Sequence, residues 1–324
     1  MGAKRRPAPA NQMTGTVIRS VGSSSTIRTV AGEVYTCVVR GKFRVKGVKS
    51  TNPVAVGDEV RFTPPEEGSE MGVITEVLPR HNYILRKAIA HSRKVHIMAA
   101  NIDQALLVFT IDFPKTSLGF ADRFLLVAEM FHIPAHIIIN KTDLLTTPEH
   151  QARLQTVRDV YTTAGYPISE VSALSEEYQS TVQELLKDKV SLVGGHSGAG
   201  KSTLINLVDP DLDLKTGAVS TANTKGKHTT TYAEMHPLVD GGYIIDTPGI
   251  RELGLTNLEA RELSHYFPEM ATRLVDCKFG NCTHRQEPGC AIRQAVESGE
   301  IHPERYRSYL NLFVELQEEA PQYG

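Results

Sequence analysis

Three segments of the 324-residue chain carry groups suited to a nucleotide. Gly195-His196-Ser197-Gly198-Ala199-Gly200-Lys201-Ser202 spells G-x-x-x-x-G-K-S. Its glycines let successive backbone N–H groups turn toward a phosphate, and a helix starting near Lys201 aims its positive end at the same point. Lys201 would reach the β- and γ-phosphates, the Ser202 hydroxyl would ligate Mg²⁺, and Thr203 completes the run of candidate contacts. The alternative is a plain glycine-rich turn. All the fixed letters being in place, between an apolar run and a helical stretch, argues against it. Asn140-Lys141-Thr142-Asp143 spells N-K-x-D. The Asp143 carboxylate can accept from the N1–H and exocyclic amine of guanine, a donor pair adenine lacks. The Lys141 stem can lie along the base, and Asn140 can brace the loops. The tetrapeptide gains its weight from the phosphate loop in the same chain. Asp246-Thr247-Pro248-Gly249 spells D-x-x-G, with Asp246 suited to hold Mg²⁺ through water and the Gly249 N–H to contact a γ-phosphate.

The order is base motif, phosphate loop, then D-x-x-G, where an ordinary GTPase places its base-reading motif last. The chain therefore resembles a circularly permuted GTPase, with whatever follows Gly249 joined directly to the switch region. Ser172-Ala173-Leu174 resembles the fifth GTPase motif, in which the Ala173 N–H would face guanine O6. Ile250 stands where Ras-like enzymes carry a water-orienting Gln, so the catalytic group comes from elsewhere. The nearest polar candidates are Lys227-His228-Thr229-Thr230-Thr231. One of these threonines is expected to ligate Mg²⁺, with Thr230 favoured, and His228 could position or deprotonate the attacking water. A solvated loop histidine is the other reading of His228.

Cys277, Cys282, His284 and Cys290 form a C-x4-C-x-H-x5-C cluster that takes three of the chain's four cysteines. Three thiolates and one imidazole can make a closed tetrahedral zinc site, structural rather than catalytic because no position is left for water. A disulfide pair or free buried thiols are the alternatives, and no export signal that would accompany a disulfide is visible. Cys37 stands alone in a β-rich region and reads as a small core residue.

Together these residues resemble the ribosome small subunit-dependent GTPase A family, also called RsgA or YjeQ, over nearly the whole chain. The resemblance rests on the permuted order, Gly226-Lys227-His228-Thr229-Thr230-Thr231, Asp246-Thr247-Pro248-Gly249-Ile250-Arg251 and the Cys/His spacing. It implies an N-terminal OB-fold, a permuted GTPase domain and a C-terminal zinc-binding helical domain. It also implies a late maturation role on the bacterial small (30S) subunit and its 16S rRNA, with GTP hydrolysis to GDP stimulated by that subunit. The histidine matching His228 is regarded in the family as catalytic. Ile250 fits the hydrophobic residue that replaces the catalytic Gln.

The elements that must position these groups follow from patterning. Apolar runs at 137–139, 190–193 and 243–245 each precede a motif and suit buried parallel strands. A strand at 102–109 and helices at 121–132, 149–164 and 181–189 alternate with them, giving a mostly parallel sheet. Phe124, Leu125, Ala128 and Phe131 are expected on one side of the first helix. Short strand candidates at 14–21, 26–30, 34–39, 59–62 and 72–77 suggest a five-stranded OB-fold barrel. Residues 1–100 carry 16 Lys and Arg against 7 Asp and Glu. The balance suggests RNA contact through Arg40, Lys42, Arg44, Lys46 and Lys49, with Phe43 and Tyr35 as sparse platforms. The alternative is a barrel that only packs against the GTPase. Helices at 291–298 and 303–317 surround the cysteines.

The fold class is multidomain α/β. Expected boundaries are a disordered basic arm at 1–12, an OB-fold at 13–82, the permuted GTPase at 83–255 and the zinc-binding helical domain at 256–324. With 40% hydrophobic and 22% charged residues and no apolar run of about 20 residues, a soluble, cytoplasmic monomer without a membrane span is expected. The competing functional reading is an RNA-binding module whose nucleotide domain senses GTP without useful turnover. Asp143 disfavours an ATPase.

Overall fold

The computed structural model describes residues 11–39, 53–87, 95–212, 233–246 and 258–319. The basic residues at 40–49, the stretch 226–231 and residues 247–250 lie outside them.

The first strands are β1 (Met13–Val21), β2 (Ser24–Arg28), β3 (Val34–Val39), β4 (Glu59–Thr63) and β5 (Gly72–Val77). They pair in the order β1-β2-β3-β5-β4, and β4 closes back onto β1. This is the closed barrel expected from five short alternating strands. Its own core holds Val17, Ile27, Cys37, Val54, Val60, Phe62 and Ile74. Cys37 is a fully buried packing residue whose thiol is pushed up to about 11 by burial. Tyr35 tilts against Phe62 at 5.3 Å.

A hairpin that patterning missed follows: β6 (Tyr83–Lys87) and β7 (Val95–Ala100). Among the described residues it meets the main sheet through one bridge, Val56 to Ala99. Asn82 fixes the exit from β7 by accepting from Ile102 N at 2.8 Å and donating to Ile102 O at 2.7 Å.

The nucleotide-motif region is built on β8 (Gln104–Thr110), β9 (Ala135–Asn140), β10 (Ile168–Glu170), β11 (Val190–Gly195), β12 (Glu234–Pro237) and β13 (Tyr243–Asp246). Their order is β10-β9-β8-β11-β13-β12, parallel except for β12. The register pair Arg19–Glu234 joins β1 to β12, so the barrel and this sheet are continuous. Side chains alternate across the sheet as period-two geometry requires. Leu107, Phe109, Ile137, Ile139, Leu192 and Ile245 face one core. Leu106, Val108, Ile138, Val193 and Ile244 face the other. Helices α1 (Leu118–Met130) and α2 (Pro148–Thr163) cover the first face, and α3 (Gln179–Leu186) and α4 (Lys201–Val208) the second. The caps match the local sequence: Ser117 accepts from Phe120 N, and Thr147 accepts from His150 N with Pro148 opening α2.

The C-terminal part contains α5 (Pro268–Ala271), α6 (Ala291–Glu297) and α7 (Pro303–Glu319). Leu263, Phe267, Ile292, Tyr309, Phe313 and Leu316 belong to the same core as α1 and α2. For that reason α1 is buried on more sides than its expected stripe, with Asp122, Leu126 and Val127 also inside. Arg305 of α7 is 2% exposed and donates to Asp122 at 2.5 Å and Glu269 at 2.7 Å. Burial works against the Arg305 charge, but the two carboxylates outweigh it and push its pKa up. The guanidinium also lies 4.6 Å from the Phe267 ring.

Candidate nucleotide site and metal centre

Because β8, β9, β11 and β13 run parallel, their C-terminal ends share one sheet edge, where open α/β sheets bind ligands. β11 ends at Gly195, with φ 146°, where a Cβ would stand 2.5 Å from Val108 O. Gly200, with φ 94°, precedes α4, and a Cβ there would meet Asn140 Nδ2 at 2.3 Å. Both positions need glycine, the second because the loop approaches the base motif so closely. Ser197 and Gly198 are exposed at the loop tip while Ala199 is buried beneath them.

Asn140 ends β9 and is 1% exposed. Its Nδ2 donates to Ala199 O at 2.9 Å, and its Oδ1 accepts from Ala173 N at 3.0 Å. One buried amide thus joins the N-K-x-D, S-A-L and phosphate-loop segments, which are far apart in sequence. Ser172, beside Ala173, is buried as well. Lys141 takes a left-handed backbone at φ 64°, and its Nζ donates to Phe113 O in the connection between β8 and α1. A non-glycine residue held there is strained and persists only where its surroundings over-determine it, a habit of binding sites. Asp143 sits exposed in the short 3₁₀ turn Thr142–Leu144.

Lys201 and Ser202 open α4 and are buried, with Thr203 half-buried behind them. Lys201 Nζ donates to Gly195 O at 3.0 Å and His196 O at 2.8 Å, which folds the ammonium back over the loop. The His196 ring stacks on Phe120 of α1 at 4.0 Å between centroids. Asp246 ends β13, the strand beside β11. The Asp246 side chain, Gly249, His228 and Thr230 lie outside the described residues.

The second cluster brings four candidate metal ligands together. One donor atom from each of Cys277, Cys282, His284 and Cys290 lies within 4.8 Å of the others. His284 Nδ1 is 3.6 Å from Cys277 Sγ and 3.5 Å from Cys290 Sγ. Burial lowers the His284 pKa and favours the neutral imidazole that a metal requires. Two phenols of α7 pin the ligand loop: Tyr306 donates to His284 O at 2.7 Å and Tyr309 to Thr283 O at 2.8 Å. Glu287 accepts from Thr283 N at 2.7 Å, Arg285 N at 2.9 Å and Gln286 N at 3.0 Å. Burial would raise this carboxyl, but the Thr283 hydroxyl and the nearby backbone N–H groups, those of Thr283 and Gln286 among them, hold it down at about 2. Such outer partners orient metal ligands.

Patterning missed Phe113, Phe120, Asp122 and Arg305. None forms a motif, and the Arg305–Asp122 contact spans 183 residues.

Among known proteins, a family model described as RsgA GTPase matches residues 77–256, and one described as RsgA N-terminal domain matches residues 14–74. A Bacteroides fragilis protein named small ribosomal subunit biogenesis GTPase RsgA is 47% identical over 306 residues, covering 94% of this chain and 98% of its own. The structure of YjeQ from Thermotoga maritima is similar with TM-score 0.77 and 35% identity, over 94% of this chain and 99% of that one. YloQ, described as a circularly permuted GTPase, is similar with TM-score 0.75 and 28% identity, over 98% of this chain and all of its own (100%).

Proposed function

The chain belongs to the RsgA GTPase family, and from that premise we propose that it hydrolyses GTP to GDP and phosphate as a late-stage maturation factor of the small ribosomal subunit, with turnover stimulated by that subunit. The observation that carries the nucleotide reading is the Asn140 amide, which holds the base motif, Ala173 and the phosphate loop as one unit. In this reading Asp143 accepts from the guanine edge, Lys141 lies along the base, and Ala173 N–H and Ser172 close the far side. Gly195 through Gly200 wrap the phosphates with backbone N–H groups, and Lys201 leaves its loop carbonyls for the β- and γ-phosphates.

Ser202 and Thr230 would ligate Mg²⁺, with Asp246 acting through water and Gly249 N–H meeting the γ-phosphate. The bound ion neutralises charge on the β- and γ-oxygens. Thr203 completes the phosphate contacts. His228 positions the attacking water, because Ile250 has no hydrogen-bonding group. Three sulfurs and one imidazole suit zinc, held structurally by Cys277, Cys282, His284 and Cys290.

The functional units are the arm 1–12, the barrel 13–82, the GTPase 83–255 and the metal-binding module 256–324. The basic surplus of residues 1–100 supports contact with 16S rRNA, and the protein works as a cytoplasmic monomer. Nucleotide selectivity tests the base assignment. Asp143→Asn is expected to lose GTP affinity and gain xanthine nucleotide affinity, since xanthine presents a carbonyl where guanine presents its amine. Equal GTP and ATP affinity in the unchanged protein would remove the assignment.

A further inference from the structure

One helix and the turn before it run along the phosphate loop. A Cβ placed on Gly198 would sit 3.5 Å from Pro114 Cδ, and one on Gly194 would sit 2.2 Å from the Phe124 ring. Between them, the Phe120 ring stacks on His196 at 4.0 Å and 26°. Phe120 and Phe124 are four residues apart and so share a helix face. That face meets alternate residues 194 and 196 of the strand end and loop. Gly194 precedes the phosphate-binding pattern, and Phe124 supplies the reason a glycine stands there.

The other side of α1 is fixed. Asp122 accepts from Arg305 and from the Ser308 hydroxyl, both on α7; closer to the Phe120 face, Arg123 donates to Glu315 of α7 at 2.5 Å. Asp122 is two residues from Phe120, about 200° round the helix. The same α7 carries Tyr306 and Tyr309, which hold the metal-ligand loop. Helix α1 is therefore wedged between the phosphate loop and the module that bears the metal centre.

We infer that Phe120 is a positioning residue for the nucleotide reaction: its ring holds His196, and α1 backs the phosphate loop against the C-terminal module. The inference rests on the GTPase reading above. A docked α7 keeps α1 in place, and α1 keeps the phosphate loop in its binding shape before nucleotide arrives. An aromatic stack adds binding strength beyond its buried area, and the loop loses that restraint when the ring is removed.

The test uses the full-length protein with Phe120→Leu, which keeps apolar volume and loses the ring, and Phe120→Tyr, which keeps the ring. Fluorescent GDP and GTP titrations, with active-site counting, give Kd for the folded fraction. Subunit-stimulated turnover gives kcat and KM. Phe120→Leu is expected to raise Kd and KM roughly 2- to 12-fold, the range set by an aromatic pair, with kcat little changed. Phe120→Tyr is expected to restore both. In a His196→Ala background Phe120→Leu is expected to add nothing further, because the partner is gone. A lowered melting midpoint with wild-type Kd and KM would overturn the inference and leave Phe120 as packing. Equal effects of Leu and Tyr, or full additivity with His196→Ala, would also overturn it. Unchanged protein that fails to bind GTP would overturn the GTPase reading itself, and that is seen before any variant is compared.

Discussion

Replacing Asn140 with Ala removes a side chain that bonds both the phosphate loop and the Ala173 segment. The loss can be sized from its two hydrogen bonds, 2.9 Å to Ala199 O and 3.0 Å from Ala173 N. Both partners belong to buried residues, as does Asn140 at 1% exposure. Each orphaned group costs about 1–3 kcal/mol when no water reaches it. Ala199 lies beneath an exposed loop tip, so water can relieve part of the cost, and a total of about 2–4 kcal/mol is the working figure. If the loop must recover its shape to bind nucleotide, this converts to roughly a 30- to 700-fold weaker GDP affinity. Asn140→Asp separates geometry from size. It keeps an acceptor for Ala173 N but turns a carboxylate oxygen toward Ala199 O, so it is expected to rescue little. The assay is competition of GDP against a fluorescent analogue, with thermal unfolding run alongside to count folded protein. Asn140→Ala binding GDP within about 3-fold of wild type would refute the claim that this amide assembles the site.

Two further outcomes follow from the C-terminal part. Arg305→Met leaves the buried Asp122 and Glu269 carboxylates without their cation, and is expected to destabilise the protein by about 3–5 kcal/mol in chemical denaturation; a change under about 1 kcal/mol would show the network to be dispensable. Metal analysis is expected to find one zinc per chain and its loss in Cys282→Ala, with subunit binding falling more than GTP affinity because the ligands lie beyond the nucleotide motifs; a metal-free, fully folded preparation would remove the zinc assignment.

Much of the architecture was legible because it is local. The apolar runs before Asn140, Gly195 and Asp246 mark strands buried on both faces, and their positions in the sheet follow from the motifs they end in. The barrel strands alternate apolar and polar residues with turns between them, so their limits fell within a few residues of 14–21, 34–39 and 72–77. The Cys/His cluster was readable from spacing alone, since its ligands lie within fourteen residues. What escaped depends on partners distant in sequence. Asp122 in α1 looks like a solvated helix residue until α7 delivers Arg305 to it. The Phe120 ring looks like core until His196 is brought beside it. β6 and β7 read Tyr-Ile-Leu-Arg-Lys and Val-His-Ile-Met-Ala-Ala, apolar runs without strict alternation, and among the described residues one bridge ties them to the barrel, so no periodicity announces them.

The proposed activity is GTP hydrolysis whose rate answers to the small ribosomal subunit. Its most direct test is phosphate release from GTP by the full-length protein, with and without purified small subunits, run beside His228→Ala. Slow basal turnover, a large rise with subunits, and loss of that rise by on the order of 10²-fold in His228→Ala with GTP and subunit binding retained are predicted. Turnover that is the same with and without subunits would rule out a subunit-stimulated GTPase. Normal stimulated turnover in His228→Ala would move the catalytic group to another residue or to the subunit.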